Sequence, residues 1–98
     1  LVIYLNETLD FTSSAYFERS ISDLINKHPD CNVVLNMSDV PYMNSAGLGV
    51  LIVLTKNLEE KHLMLKISNI NRSLRKVISL LDAEGLVNVY NDESDALV

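Results

Sequence analysis

The chain has 98 residues, 48% of them hydrophobic, with 8 basic against 13 acidic side chains and a formal net charge of −5, which is enough for one domain to bury most of its apolar surface. That balance, with no long basic stripe, argues against a nucleic-acid backbone as the main partner. The longest unbroken apolar stretch, Ala46 to Leu54, is far shorter than the roughly 20 residues that span a bilayer, so no membrane insertion is expected. The single cysteine, Cys31, cannot close an internal disulfide, so a reducing, cytoplasmic compartment is the simpler expectation.

The chain opens on Leu1, inside a strand-like run and without an initiator Met, so residues upstream of it are expected. Leu1 to Leu5 reads as a short strand, closed by the polar Asn6-Glu7-Thr8. Leu9-Asp10 leads into a helix of about 14 residues with Thr12 or Ser13 as N-cap; with Thr12 there, Phe11 and Tyr16 are spaced for a hydrophobic staple. Phe17, Ile21, Leu24 and Ile25 form its apolar stripe, and Lys27-His28-Pro29-Asp30 stops it because proline disfavours helical geometry in the residue before it.

Asn32 to Met37 is the second strand. Its consecutive Val33, Val34 and Leu35 imply burial on both faces, as in the middle of a parallel sheet. A polar turn, Ser38 to Asn44, follows, and then a helix opened by Ser45 that lasts to the turn at Lys61-His62. Leu63 to Ile67 alternates as a third strand, with Met64 and Lys66 on the opposite side from Leu63, Leu65 and Ile67. Asn69 or Asn71 caps a helix with Leu74, Val77, Ile78 and Leu81 inward; Asp82-Ala83-Glu84-Gly85 ends it, with Gly85 suited to a left-handed turn. Leu86 to Tyr90 is a fourth strand, and Asn91-Asp92-Glu93-Ser94 starts a last helix. The order β-α-β-α-β-α-β-α implies an α/β domain over residues 1–98, its mostly parallel central sheet covered by about four helices.

The stretch from Asn32 to Lys61 holds the chemical interest. Ser45 stands at a helix start, where backbone N–H groups lack intrahelical partners and the dipole is positive, so a phosphate is well placed there. Gly47 and Gly49 lie in the first turns, where each costs roughly 1 kcal/mol against alanine. Either tight packing on the sheet or close approach of a partner would compensate. Leu48, Leu51, Ile52 and Thr55 form one stripe, and Val50, Val53 and Leu54 extend the apolar surface past it; an exposed remnant would mark an interaction site.

Other chemistries find less support. His28, His62 and Cys31 have no zinc-type spacing, and no cofactor is expected. Ser45 is not framed as G-x-S-x-G, and no titratable pair is forced together, so an enzyme is not expected. N-S-A-G-L-G lacks both the Walker spacing and its lysine.

Three pieces, in order, resemble the STAS domain and, within it, the stand-alone anti-sigma factor antagonists of bacteria. Val40 to Leu51, V-P-Y-M-N-S-A-G-L-G-V-L, is similar to the family's M-D-S-[ST]-G-L-G; Leu80 to Tyr90, L-L-D-A-E-G-L-V-N-V-Y, is similar to its helix ending at Gly-Leu; Leu9-Asp10 is similar to its L-D before the first helix. The resemblance implies a STAS-like single domain that binds an anti-sigma factor of serine-kinase type, loses that binding when Ser45 is phosphorylated, and regains it through a PP2C-type phosphatase. It places the partner surface on Asp10, Asp39, Tyr42, Met43, Asn44, Ser45, Ala46, Gly47, Leu48 and Gly49. The chain departs from the pattern at Asn44, where the family usually has Asp, at Glu7, near the position of the Gly that precedes L-D, and in the family's leading strand, which is missing or lies upstream of Leu1. Two other readings stay open: a STAS scaffold or transporter-associated module that is never phosphorylated, and a small-ligand-binding regulatory domain.

Overall fold

The computed structural model describes residues 1–98. Its elements are β1 (Val2–Tyr4), α1 (Ser14–Lys27), β2 (Val33–Asn36), α2 (Ser45–Glu59), β3 (Leu65–Ser68), α3 (Arg72–Leu80), β4 (Asn88–Tyr90) and α4 (Glu93–Ala96). The four strands are all parallel and lie in the order β1-β2-β3-β4. With every crossover of one hand, that order sends the connecting helices to one face of the sheet. On that face Ile3, Val33, Leu35, Leu65 and Ile67 pack with Phe17, Ile21 and Ile25 of α1, Leu48, Leu51, Leu54 and Leu58 of α2, and Leu74 and Ile78 of α3.

The opposite face is polar. Register places Tyr4, Asn36, Ser68 and Tyr90 in one row across the strands, and Val2, Val34, Lys66 and Asn88 in the next. The short α4 covers it, resting on β2, β3 and β4. Four residues form too short a helix to stand alone. Polar bonds hold it instead: Asn36 Nδ2 donates to Glu93 Oε1 (3.1 Å), Lys66 Nζ donates to the Ala96 carbonyl (2.9 Å), and Asp92 caps the helix by accepting from the Asp95 amide (2.9 Å). Lys66 is therefore buried on this side, opposite Leu65 and Ile67, its charge over the Tyr90 ring.

Several boundaries and side chains differ from expectation. β3 runs to Ser68 rather than Ile67, and β4 begins at Asn88, leaving Leu86 exposed. Leu24 and Leu81 belong to their stripes by spacing but are exposed, because α1 buries only Phe17, Ile21 and Ile25, and α3 only Leu74 and Ile78. Phe11 and Tyr16 are both mostly exposed, so no staple shields them. Asp10 holds that turn instead, its Oδ1 accepting from the Thr12 and Ser13 amides at 3.0 and 3.1 Å, while Ser13 makes no cap with its own side chain.

Gly85 is not the left-handed residue after α3; Asp82 is, at φ 51°. The Ala83 amide donates to Ile78 O and the Asp82 amide to Ser79 O, both carbonyls of the last helical turn. This is a Schellman closure with Asp at its left-handed position. The same pattern ends α2, where His62 takes φ 61° and the amides of Leu63 and His62 donate to Leu58 O and Glu59 O.

Candidate functional site

In a sheet of parallel strands every helix N-terminus lies at the carboxyl edge. Three of the four are capped there by an Asp or Asn side chain, Asn44, Asn71 and Asp92, and Asp10 holds the turn that leads into α1. The segment between β2 and α2 is built into this edge from both sides. Asn36 Oδ1 accepts from the Ser38 amide (3.0 Å), turning the chain out of β2, and Val40 and Met43 are buried. On one flank, residues around Leu9 run parallel to Met43: the Leu9 amide donates to Tyr42 O and the Asn44 amide to Leu9 O, both at 3.0 Å. On the other flank, Asn71 Nδ2 donates to the carbonyls of Val40 and Pro41, each at 3.3 Å, while its Oδ1 caps α3 through the Leu74 amide.

Asn71 thus serves two elements, and variants separate them. Asn71→Ala is expected to lower unfolding free energy by about 1 kcal/mol through the lost cap and to speed amide exchange at Asn44 by loosening the loop. Asn71→Asp, which keeps the cap oxygen but cannot donate, is expected to reproduce the faster exchange with little loss in urea denaturation. If Asn71→Asp exchanges like the parent, the tie to Val40 and Pro41 does not brace the loop.

α2 starts from Asn44, whose backbone is extended and whose Oδ1 accepts from the amides of Ala46 (3.0 Å) and Gly47 (3.3 Å); its carbonyl accepts from Leu48. The helix start is therefore less open to an anion than the sequence suggested, since Asn44 already occupies two of its N–H groups. Ser45, the first helical residue, is exposed and its hydroxyl is unused by the chain. Down the outer side of the helix Ser45 is followed, at helical spacing, by Gly49, Ile52, Val53 and Lys56. Val53 is 44% exposed and Ile52 half-buried, so the expected apolar remnant exists.

The two glycines divide by cause. A Cβ on Gly47 would lie 2.7 Å from both Leu9 Cβ and Leu9 O and 3.0 Å from Met43 Cγ, so packing inside the chain reserves that position. A Cβ on Gly49 would meet nothing within 4 Å.

Of the ten residues expected at a partner surface, Asp39, Tyr42 and Ser45 are exposed, and Asp10, Asn44, Ala46 and Gly49 are half-buried. Met43, Gly47 and Leu48 are buried in the core. Asp10 is brought beside the loop by the Leu9–Met43 bridge, with its Oδ1 engaged by Thr12 and Ser13; the Thr12 hydroxyl bond (2.7 Å) leads the effects that hold its carboxyl below the usual range. Phe11 was missed as a surface residue. It is 75% exposed in the turn that Asp10 holds, next to the bridge. Its staple spacing disguised it, and the signal that finds it is an aromatic directly after a turn-forming Asp. No three His, Cys, Asp or Glu side chains gather closely enough to hold a metal ion, and none of the cavities is lined by residues 38–49.

Three hydrogen-bonded carboxylates carry a pH dependence. Asp10, Asp92 and Glu93 are each held below their ordinary pKa, chiefly by hydrogen bonds from the Thr12 hydroxyl, the Ser94 hydroxyl and the Asn36 amide respectively. A carboxylate that binds its proton more weakly when folded adds stability above its unfolded pKa and loses it as pH falls through the folded one. Urea midpoints are thus expected to be insensitive to these groups from about pH 7 to 5 and to drop below about pH 4. In Asp92→Asn that acid-side drop is expected to be shallower; an unchanged profile would remove Asp92 from the account.

Comparison with known proteins adds the following. The STAS domain family model matches residues 1–96. A curated relative, the anti-sigma F factor antagonist of Paenibacillus polymyxa, is 22% identical over 97 residues, covering 99% of this chain and 83% of the relative. The crystal structure of a candidate anti-sigma factor antagonist from Thermotoga maritima superposes with a TM-score of 0.86 at 25% identity, covering 98% of this chain and 84% of that one. The anti-sigma factor antagonist SpoIIAA in its unphosphorylated form shares the fold with a TM-score of 0.77 at 22% identity, covering 98% and 83%. So does a sulfate transporter family protein from Wolinella succinogenes, with a TM-score of 0.77 at 20% identity, covering 98% and 80%.

Proposed function

The chain belongs to the STAS domain family, and from that premise we propose that it is an anti-sigma factor antagonist acting as a binding partner rather than an enzyme. Ser45 carries the proposal: an exposed hydroxyl at the first position of α2, on a loop braced from two sides. Unphosphorylated, this edge binds an anti-sigma factor of serine-kinase type. Tyr42, Asn44, Ser45, Ala46 and Gly49 meet the partner, with Phe11 and Tyr42 as its exposed aromatics and Asp10 and Asp39 at the polar rim. Gly49 lets the partner's atoms approach the helix backbone.

Phosphorylation ends the complex. A phosphate adds about −1.5 to −2 charges, and because Asn44 already holds the Ala46 and Gly47 amides, the group stands outside the cap, facing the partner. A PP2C-type phosphatase reverses the step. The neutral Asn44 keeps the capping oxygen of the family's usual Asp without its charge, so helix and fold are kept while the carboxylate's influence on the kinase is lost.

The test is direct. Incubation with the cognate kinase and ATP is expected to add one phosphate, located on Ser45 by mass spectrometry, and to release the kinase in a pull-down. Absence of both modification and complex would sink the reading. Asn44 favours one alternative, a STAS docking module that is never phosphorylated, in which the complex forms but no phosphate is added.

A further inference from the structure

A second surface of unusual charge involves residues other than Ser45. Residues 61–81 contain Lys61, Lys66, Arg72, Arg75 and Lys76, five of the eight basic residues of the chain, and none of its thirteen acidic ones. A protein of net charge −5 thus carries a locally cationic sector. Lys66 is taken by the polar face under α4, whereas Arg72, Arg75 and Lys76 are exposed on α3. Beside Arg75, between α3 and β4, the surface opens into a cavity of about 410 Å³. Ile70, Ile78 and Val89 form its apolar part, and Arg75, Ser79 and Glu84 its polar lining. Arg75 is oriented over it by a bond from Nη2 to Asn91 Oδ1 at 2.9 Å, which leaves most of its donors free. β4 is the last strand of the sheet, so one backbone edge at this groove has no partner strand.

We propose that this groove docks an acidic segment of another protein, with one apolar side chain seated over Ile70, Ile78 and Val89 and carboxylates paired with Arg72, Arg75 and Lys76. Charge complementarity selects the occupant. Arg72, Arg75 and Lys76 fall within two turns of α3, with Arg75 itself in the cavity lining, while Glu84 in the same lining repels acidic side chains beside it and so restricts where the carboxylates can sit. An anionic membrane is a poorer fit, because the acidic remainder of the molecule opposes approach to a flat negative surface.

The site does not depend on Ser45, and the experiment separates the two. A fluorescein-labelled peptide, Glu-Glu-Glu-Leu-Ile-Glu-Glu-Glu, is titrated with the protein by fluorescence polarisation and followed by two-dimensional NMR. Saturable binding is expected, with amide shifts centred on Ile70, Ile78 and Val89. Double charge reversal, Arg75→Glu with Lys76→Glu, is expected to weaken it at least about tenfold, and added salt to weaken it further. Ser45→Asp is expected to leave it unchanged, and a peptide with lysine in place of glutamate not to bind. Both reversed residues are exposed, and circular dichroism checks that the variant folds. No saturable binding, shifts centred elsewhere, or affinity indifferent to charge reversal overturns the site. Binding to phosphatidylglycerol vesicles that the reversal abolishes, with none to the peptide, overturns the protein segment as occupant.

Discussion

Gly47→Ala is expected to destabilise the fold by about 1–3 kcal/mol, the usual cost of forcing a methyl into a filled core. Gly49→Ala, two residues further along the same helix, is expected to stabilise it by about 0.5–1 kcal/mol. Both gain the same helix propensity, so the difference comes from surroundings. A methyl at position 47 strikes the Cβ and the carbonyl oxygen of Leu9, both at 2.7 Å. Neither yields easily, because the Leu9 carbonyl accepts from the Asn44 amide and its side chain is 2% exposed. Relief requires the first turn of α2 to move away from the Leu9 segment, which also breaks the ladder that carries Asp10 to the site. A methyl at position 49 meets nothing. Urea denaturation of both variants reads the contrast, worth several degrees in Tm per kcal/mol for a chain of this size. Two alanines of equal effect would show that close approach to Leu9 does not reserve position 47. On the proposed function Gly49→Ala has the reverse profile in binding: a more stable protein with a weaker complex.

How far the sequence was legible depends on which physical term decided each feature. β2 and the start of α2 were read nearly to the residue, because a run of Val33, Val34 and Leu35 buried on both faces and the change from a polar turn to an apolar run at Ser45 are local signals that the tertiary structure reinforces. The failures are tertiary. Lys66 lies on the strand face opposite Leu65 and Ile67 as its phase requires, but that α4 covers this face could not be read, because the phase of a strand does not say whether its second face is dry. Gly85 is a reasonable left-handed residue by propensity, but the Schellman bonds from Asp82 and Ala83 close the helix three residues earlier, and buried Ala83 over Ile78 decides that register. Leu24 and Leu81 fit their stripes by spacing and are exposed because the helices bury narrower faces than the apolar pattern offers.

The site shows the same division. Ser45 at a helix start was readable from the turn before it and the apolar run after it. The two braces were not, since Leu9 with Met43 and Asn71 with Val40 and Pro41 join residues about 30 positions apart in chain order. Their consequence is that the loop holds its shape without a partner, so binding need not meet the cost of ordering it.

Ser45→Asp should therefore separate stability from binding. A carboxylate at the first position of α2 lies in the favourable field of the helix dipole, worth about 0.3–1 kcal/mol at an exposed terminus. The Asn44 cap is expected to survive, because its bonds to the Ala46 and Gly47 amides involve no atom of the Ser45 side chain. Unfolding in urea is then unchanged or slightly shifted towards higher concentration. The complex with the kinase-type partner should respond in the opposite sense. A charge enclosed in an interface shaped for a hydroxyl, without a counter-charge, costs about 3–5 kcal/mol, a loss of two to three orders of magnitude or more in affinity. The acidic rim adds to the loss, since Asp10 and Asp39 lie on the same edge and no Lys or Arg occurs between Asn44 and Lys56. Ser45→Ala, which removes the hydroxyl without adding charge, is expected to retain most of the affinity and to be refractory to the kinase. Calorimetric titration of the three proteins with the partner, beside urea curves for each, decides the matter. If Ser45→Asp binds as tightly as the parent, the switch at Ser45 is wrong even where the complex is real; if it fails to fold, the cap geometry described for Asn44 is wrong instead.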